Sequence, residues 1–176
     1  MPQSASNTSY SSINITIQVG TRVSLHNLDL ASSHLSGLQG LVIFYQAQTG
    51  TYGVQLDNGW GTFYAPPHTL LQNINVQLRF IGSVATIVSY MEMADLYSVR
   101  YISGALDFVP SRHIIIPNGT VVRLEGLRTH SYNGRHGKVV SWVPRTDQCT
   151  GYDSSCYDIQ LSYGSTIRVQ MDNVRL

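Results

Sequence analysis

One short pattern, used three times in the same order, constrains this chain more than any single residue does. Gly37-Leu38-Gln39-Gly40-Leu41-Val42-Ile43-Phe44-Tyr45 is echoed by Gly134-Arg135-His136-Gly137-Lys138-Val139-Val140-Ser141-Trp142, with the reduced form Gly82-Ser83-Val84-Ala85-Thr86-Ile87-Val88-Ser89-Tyr90 between them. Each copy precedes a Tyr-x-Val/Ile segment: Tyr52-Gly53-Val54, Tyr97-Ser98-Val99 and Tyr157-Asp158-Ile159. Each unit then ends on a short polar turn before aliphatics: Pro67-His68-Thr69-Leu70, Arg112-His113-Ile114 and Asp172-Asn173-Val174. Fixed-order self-similarity is the mark of a repeat architecture.

The repeats divide 176 residues into units too short to be more than marginally stable alone, so the units are expected to pack on one another or on partners. Charged residues make up 12% of the chain, against about 25% in an ordinary soluble domain. Lys138 is the sole lysine. A low-charge, Tyr-rich surface resists association poorly, and interfaces are themselves depleted in Lys and enriched in Tyr. The composition therefore leans towards a subunit of an assembly. The net charge of +1 comes without a basic stripe, which disfavours nucleic acid as a partner. No apolar run reaches the ~18 residues of a membrane helix, so membrane insertion is not expected. Residues 1–10 are polar and lack a signal-peptide core.

Residues 1–18 read as a polar tail and a leading strand. Ile13, Ile15, Ile17 and Val19 alternate with polar residues, the period-two pattern of a β-strand. That strand either joins the first unit or serves as an assembly arm that completes a neighbour's sheet. The first unit covers 19–73, with strands over 22–25, 40–45, 52–56 and 62–64, and a long polar loop over 26–36. Asp57-Asn58-Gly59 has hairpin-turn chemistry, and Pro66-Pro67 is expected to end the sheet. The second unit, 74–116, opens on alternating Ile74, Val76, Leu78 and Phe80 and lacks the long first loop. The third, 117–176, restores that loop and carries an insertion over 143–155. Closely spaced strands, Gly-rich turns and no helical periodicity predict an all-β protein of three small barrels.

The segments Leu35-Ser36-Gly37-Leu38-Gln39-Gly40-Leu41-Val42, Tyr52-Gly53-Val54-Gln55-Leu56-Asp57-Asn58-Gly59 and Pro67-His68-Thr69-Leu70 resemble the SH3-like small-barrel superfamily. The resemblance is to its KOW and Tudor branches, and closest to the tandem repeats found in algal and fungal proteins. Tyr132-Asn133-Gly134-Arg135-His136-Gly137-Lys138-Val139 matches in the third unit, while Ser83 and Val84 break the spacing in the second. It covers nearly everything after Val19 and implies three consecutive SH3-like barrels. It says little about function, because small barrels host many.

Tyr45, Tyr52, Trp60, Phe63 and Tyr64 crowd the first unit and, with Asp57, are candidate ligand or partner contacts: an aromatic cage or a peptide platform. The competing reading, core and packing between units, is favoured because aromatics dominate both. Cys149 and Cys156 flank a short loop and are a candidate disulfide pair, balanced against two free thiols. Zinc on His130, His136, Cys149 and Cys156 is disfavoured by the spacing, and neither metal nor cofactor is expected. Asn7, Asn14 and Asn118 head glycosylation sequons. With the cysteines these tilt the localisation towards an extracellular or particle-associated setting, the alternative being cytoplasmic. His68 and His113 recur at one repeat position and read as turn residues. No catalytic constellation is evident.

These features predict a non-enzymatic structural or scaffolding subunit acting with other protein subunits, as a homo- or hetero-oligomer. The alternative is an intracellular module that binds a peptide or modified tail through the first unit's aromatics.

Overall fold

The structure, a computed structural model, describes residues 15–145 and 154–176. The expectations for Asn7, Ile13, Asn14 and Cys149 lie outside the described residues. Within them the protein is all-β, and each repeat forms one five-stranded antiparallel sheet. The first contains β1 (Arg22–Leu25), β2 (Gln39–Gln46), β3 (Thr51–Leu56), β4 (Thr62–Ala65) and β5 (Leu70–Gln72). The second contains β6 (Asn75–Leu78), β7 (Val84–Met91), β8 (Leu96–Tyr101), β9 (Leu106–Pro110) and β10 (Ile114–Ile115). The third contains β11 (Val121–Leu124), β12 (His136–Val143), β13 (Cys156–Leu161), β14 (Thr166–Gln170) and β15 (Val174–Arg175). The spatial order is β4-β3-β2-β1-β5 in the first sheet, and the other two repeat it. Among the described residues no helix is long and apolar enough to cross a membrane.

The repeated glycines have a steric cause. Gly40 lies opposite Val23, and Gly137 opposite Val122. A Cβ on Gly40 would overlap the carbonyl oxygen of Gln55, and one on Gly137 would overlap the side chain of Ile159. Ala85 occupies the same register position in the second unit, opposite Val76. All three long strands then slip register at one place: Val42/Phe44, Ile87/Ser89 and Val139/Ser141. An extra residue there bends the strand and raises its twist.

Pro66-Pro67 does not end the first sheet. Pro67–Thr69 form one 3-10 turn that feeds β5 back onto β1, and Ser111–His113 and Met171–Asn173 do the same in the other units. Proline suits the start of such a turn, where no backbone donor is required. Asp57–Gly59 form a 3-10 turn within the hairpin that joins β3 to β4, as their turn chemistry predicts.

The leading strand is not formed over its described part. Residues 15–18 make no ladder. Both sides of β1, the strand next to it in sequence, are already taken by β2 and β5, so the segment does not extend the ladder there. Ile17 enters the first unit's core instead, and Val19 is exposed. Alternating isoleucines fit an extended segment that inserts side chains without pairing its backbone. In the second unit the alternation also overruns the strand: β6 stops at Leu78, where a tight turn places Gly82 N–H on the Leu78 carbonyl at 2.8 Å.

Two cores hold the molecule. The first unit has its own, while the second and third share one. Two strands stitch these together by alternating faces. In β5, Leu70 joins the first core and Leu71 the shared one; in β11, Val121 joins the first and Val122 the shared one. Gln72 Nε2 closes the seam by donating to the Val121 carbonyl at 2.6 Å. Sharing a core answers the small apolar area available to each unit.

Candidate functional site

The aromatics of the first unit do not converge on one cage. Tyr52 is 3% exposed and belongs to the core, and Tyr45 stacks against it at 4.8 Å between ring centroids. The pair is part of the repeat: Tyr90 and Tyr97 stand at the same register position with centroids 4.5 Å apart, and Trp142 faces Tyr157 across β12 and β13. Trp60 and Tyr64 are on the surface, 59% and 57% exposed. Asp57 is held in an ion pair with Arg22. Phe63 and Tyr64 do line a shallow groove with Asn27, Leu28, Asp29 and Pro66, where the long first loop runs beside β4. Tyr64 also stacks on Phe44 at 5.8 Å, and Phe44 lies over Gly53, where any Cβ would strike its ring.

Cys156 is a buried free thiol that donates to the Ser154 carbonyl at 3.1 Å, so no disulfide engages it in this structure. Asn118 is exposed in a turn, where an attached glycan would project outward.

The second unit carries the largest departure from the repeat. In the first unit Leu28, Leu35 and Leu38 of the long loop pack onto the core, and in the third Leu127 and Tyr132 do so. The second has only the turn after β6 in that place. Phe80 and Ile81 stand on the turn, and Leu106 and Phe108 on the edge strand β9; Phe80 is 70% and Phe108 56% exposed. At the position of Phe108 the third unit has Arg168, and at that of Leu106 it has Thr166. Phe80, Ile81, Phe108 and Pro110 line one concavity with Arg79, Asp107 and His113. Arg79 lies over the Phe80 ring at 5.5 Å and over Trp142 of the third unit at 5.8 Å, and its Nη2 donates to Ser155 Oγ at 2.9 Å. The Phe80 ring meets His113 edge-on at 4.7 Å. Arg79 thus links Phe80 to Trp142 at the margin of the shared core. In the sequence the apolar cluster was signalled by the missing loop and the Phe80-Ile81-Gly82 run.

A second gathering of polar groups lies where the three units meet. His26 and His68 come from the first unit, Glu92 from the second, and Arg123, Glu125, His136 and Arg175 from the third. Arg123 pairs with Glu125, and Arg175 reaches Asp95 at 3.5 Å and Glu125 at 3.9 Å. Glu92 accepts from Asn27 Nδ2 at 3.4 Å. His26 Nε2 is buried with no hydrogen-bond partner among the described residues. Burial pushes the His26 imidazole below its ordinary value; burial, with Arg123 and His68 adding to it, does the same to His136. Among the described residues, no group of three or more His, Cys, Asp or Glu is arranged to hold a metal. These histidines belong to different repeat positions, so no sequence spacing pointed to their meeting. Compared with known proteins, the chain matches no family model and no curated sequence.

Proposed function

We propose that each sheet closes into an SH3-like barrel and that the protein is a non-enzymatic structural subunit, assembling with further copies of itself through the uncovered face of its second unit. The return of β5, β10 and β15 onto β1, β6 and β11 through a 3-10 turn supports barrel closure. The apolar cluster of Phe80, Ile81 and Phe108, with exposed Leu106 further along β9, carries the functional reading, because large apolar side chains gathered together on the surface mark a contact surface. A second copy is the favoured occupant. The chain has a net charge of +1 and few charges with which to repel itself.

The contact is one of side chains rather than strand addition. Asp107, which accepts from the Tyr101 hydroxyl at 3.3 Å, and Pro110 both stand on β9, and charge and proline on an edge strand discourage ladder growth. Light scattering tests the reading. The wild-type chain should exceed its 19.5 kDa monomer mass as concentration rises, and Phe80→Ser with Phe108→Ser should return it to that mass with its fold intact. A wild-type monomer at every concentration would refute it.

The groove between the first unit's loop and β4 supports the alternative, a peptide-binding module, with Phe63 and Tyr64 as its apolar contacts. Tyr64→Ala should then remove binding of an apolar or proline-rich peptide without changing the assembly state.

A further inference from the structure

The three core tyrosines do one job in three places. Tyr157 of the third unit accepts the Ile116 N–H at 3.0 Å and donates to the Ile114 carbonyl at 2.9 Å. Tyr97 of the second accepts the Leu176 N–H at 3.1 Å. Tyr52 of the first accepts the Ile17 N–H at 2.9 Å. The first two bonds are reciprocal: the end of the second unit's closing strand enters the third unit, and the end of the third unit's enters the second. Each tyrosine is therefore the base of a pocket for a strand end.

The occupant of the Tyr52 pocket has the sequence of such a strand end. Ile15-Thr16-Ile17-Gln18-Val19-Gly20-Thr21 aligns with Ile114-Ile115-Ile116-Pro117-Asn118-Gly119-Thr120. The geometry agrees. Gly20 and Gly119 have φ of 88° and 86°, and each donates its N–H at 2.7 Å, to the Val42 and Val139 carbonyls respectively. Ile17 and Ile116 are both buried. The difference is upstream. Ile114 and Ile115 are anchored as β10 in the second sheet, whereas Ile15 and Thr16 join no ladder. Residues 15–17 are a closing-strand end without a sheet, joined to the body through exposed Val19 and the left-handed Gly20.

We propose that the Tyr52 pocket is a receptor for an Ile-x-Ile strand end, and that in assembly it takes the 15–17 segment of a second copy in place of its own. Exchange between copies replaces each contact by an identical one, so its cost reduces to the hinge and the entropy of association, which protein concentration offsets. This site is separate from the second unit's apolar face.

Isotopic cross-linking on the full chain tests it. A photo-reactive benzoylphenylalanine is placed at Tyr45, which stacks on Tyr52, and light and heavy copies are refolded together. Cross-links from position 45 to the 15–17 segment should include mixed light–heavy pairs, and Tyr52→Phe should reduce them. Same-isotope pairs alone would overturn the exchange. A labelled peptide spanning residues 9–19 supplies a second readout. It should bind an Ile17→Ala chain about tenfold more tightly than wild type, because the internal competitor is weakened. Should Ile17→Ala fail to fold, Ile17→Val is used. Equal binding by wild type and variant, or no binding to either, would overturn the receptor.

Discussion

The first and second units share a ladder, a strand order and a register slip at the same place, yet they present opposite surfaces to solvent. In the first, a loop over 26–36 folds Leu28 and Leu35 onto the core; in the second, five residues turn the chain and leave Phe80 and Ile81 outside. The edge strands differ in part. Phe63 of the first unit is partly buried against its core, whereas its positional equivalent in the second is Asp107; Thr62 is replaced by outward Leu106, while outward Tyr64 is matched by an equally outward Phe108. The sheet is the conserved part of the repeat, and the first loop decides whether a unit is covered by its own chain or left for another surface.

That contrast can be broken at the sheet first. Gly137→Val drives a side chain into Ile159 beneath β13 and should cost about 3 kcal/mol. The reverse kind of change at the same register position of the second unit, Ala85→Gly, should cost only about 1 kcal/mol. Chemical denaturation of both variants gives the ratio. A comparable loss in the two would mean that the packing under the repeated glycines is not what separates the units.

The tyrosine pockets should follow in size. Tyr157→Phe leaves the buried Ile116 N–H unpaired and should lose about 1–3 kcal/mol. Tyr52→Phe should lose less, because residues 15–17 can leave the pocket and return that N–H to water. Equal losses would show the leading segment to be as firmly fixed as β10.

Acid probes the seam between the first unit and the other two. The His26 and His136 imidazoles are held below their ordinary value in the folded state, so the unfolded chain binds more protons as pH falls. Their contribution is complete above about 6.5 and is lost as pH falls through the lowered folded values. The charged form of His136 faces Arg123 and His68, and that of His26 faces the same two groups, opposed by its hydrogen bond to the Leu70 backbone and by Glu92. Thermal melts should fall between pH 7.5 and 5, and His136→Gln should flatten part of the fall. A flat profile in the wild-type chain would contradict this. The smallest effect on stability belongs to Phe80→Ser and Phe108→Ser, within about 0.5 kcal/mol each, because both side chains are already in water in the single chain.

Much of the sheet architecture could be read from the sequence because strand periodicity and turn chemistry are local. The strand Arg22–Leu25 was legible to the residue, and β2, β3 and β4 to within one residue at either end. Local patterns failed where pairing partners decided the outcome. Ile15 and Ile17 alternate like a strand but find β1 already paired, and Phe80 continues an alternation that the Gly82 turn cuts off. The candidate site was legible only in part. Tyr52, repeated as Tyr97 and Tyr157, was legible as a core position, but the strand-end N–H that each accepts was not. Phe108 became visible only when set against Arg168, its equivalent across two units.

The chain has four phenylalanines, two in each of the contrasted units: Phe44 and Phe63 in the first, Phe80 and Phe108 in the second. Fluorine NMR of protein carrying 4-fluorophenylalanine therefore reads both surfaces in one spectrum. With rising protein concentration the Phe80 and Phe108 resonances should shift and broaden while those of Phe44 and Phe63 stay fixed. Four resonances that remain unchanged, or move together, would contradict assembly through the second unit's uncovered face.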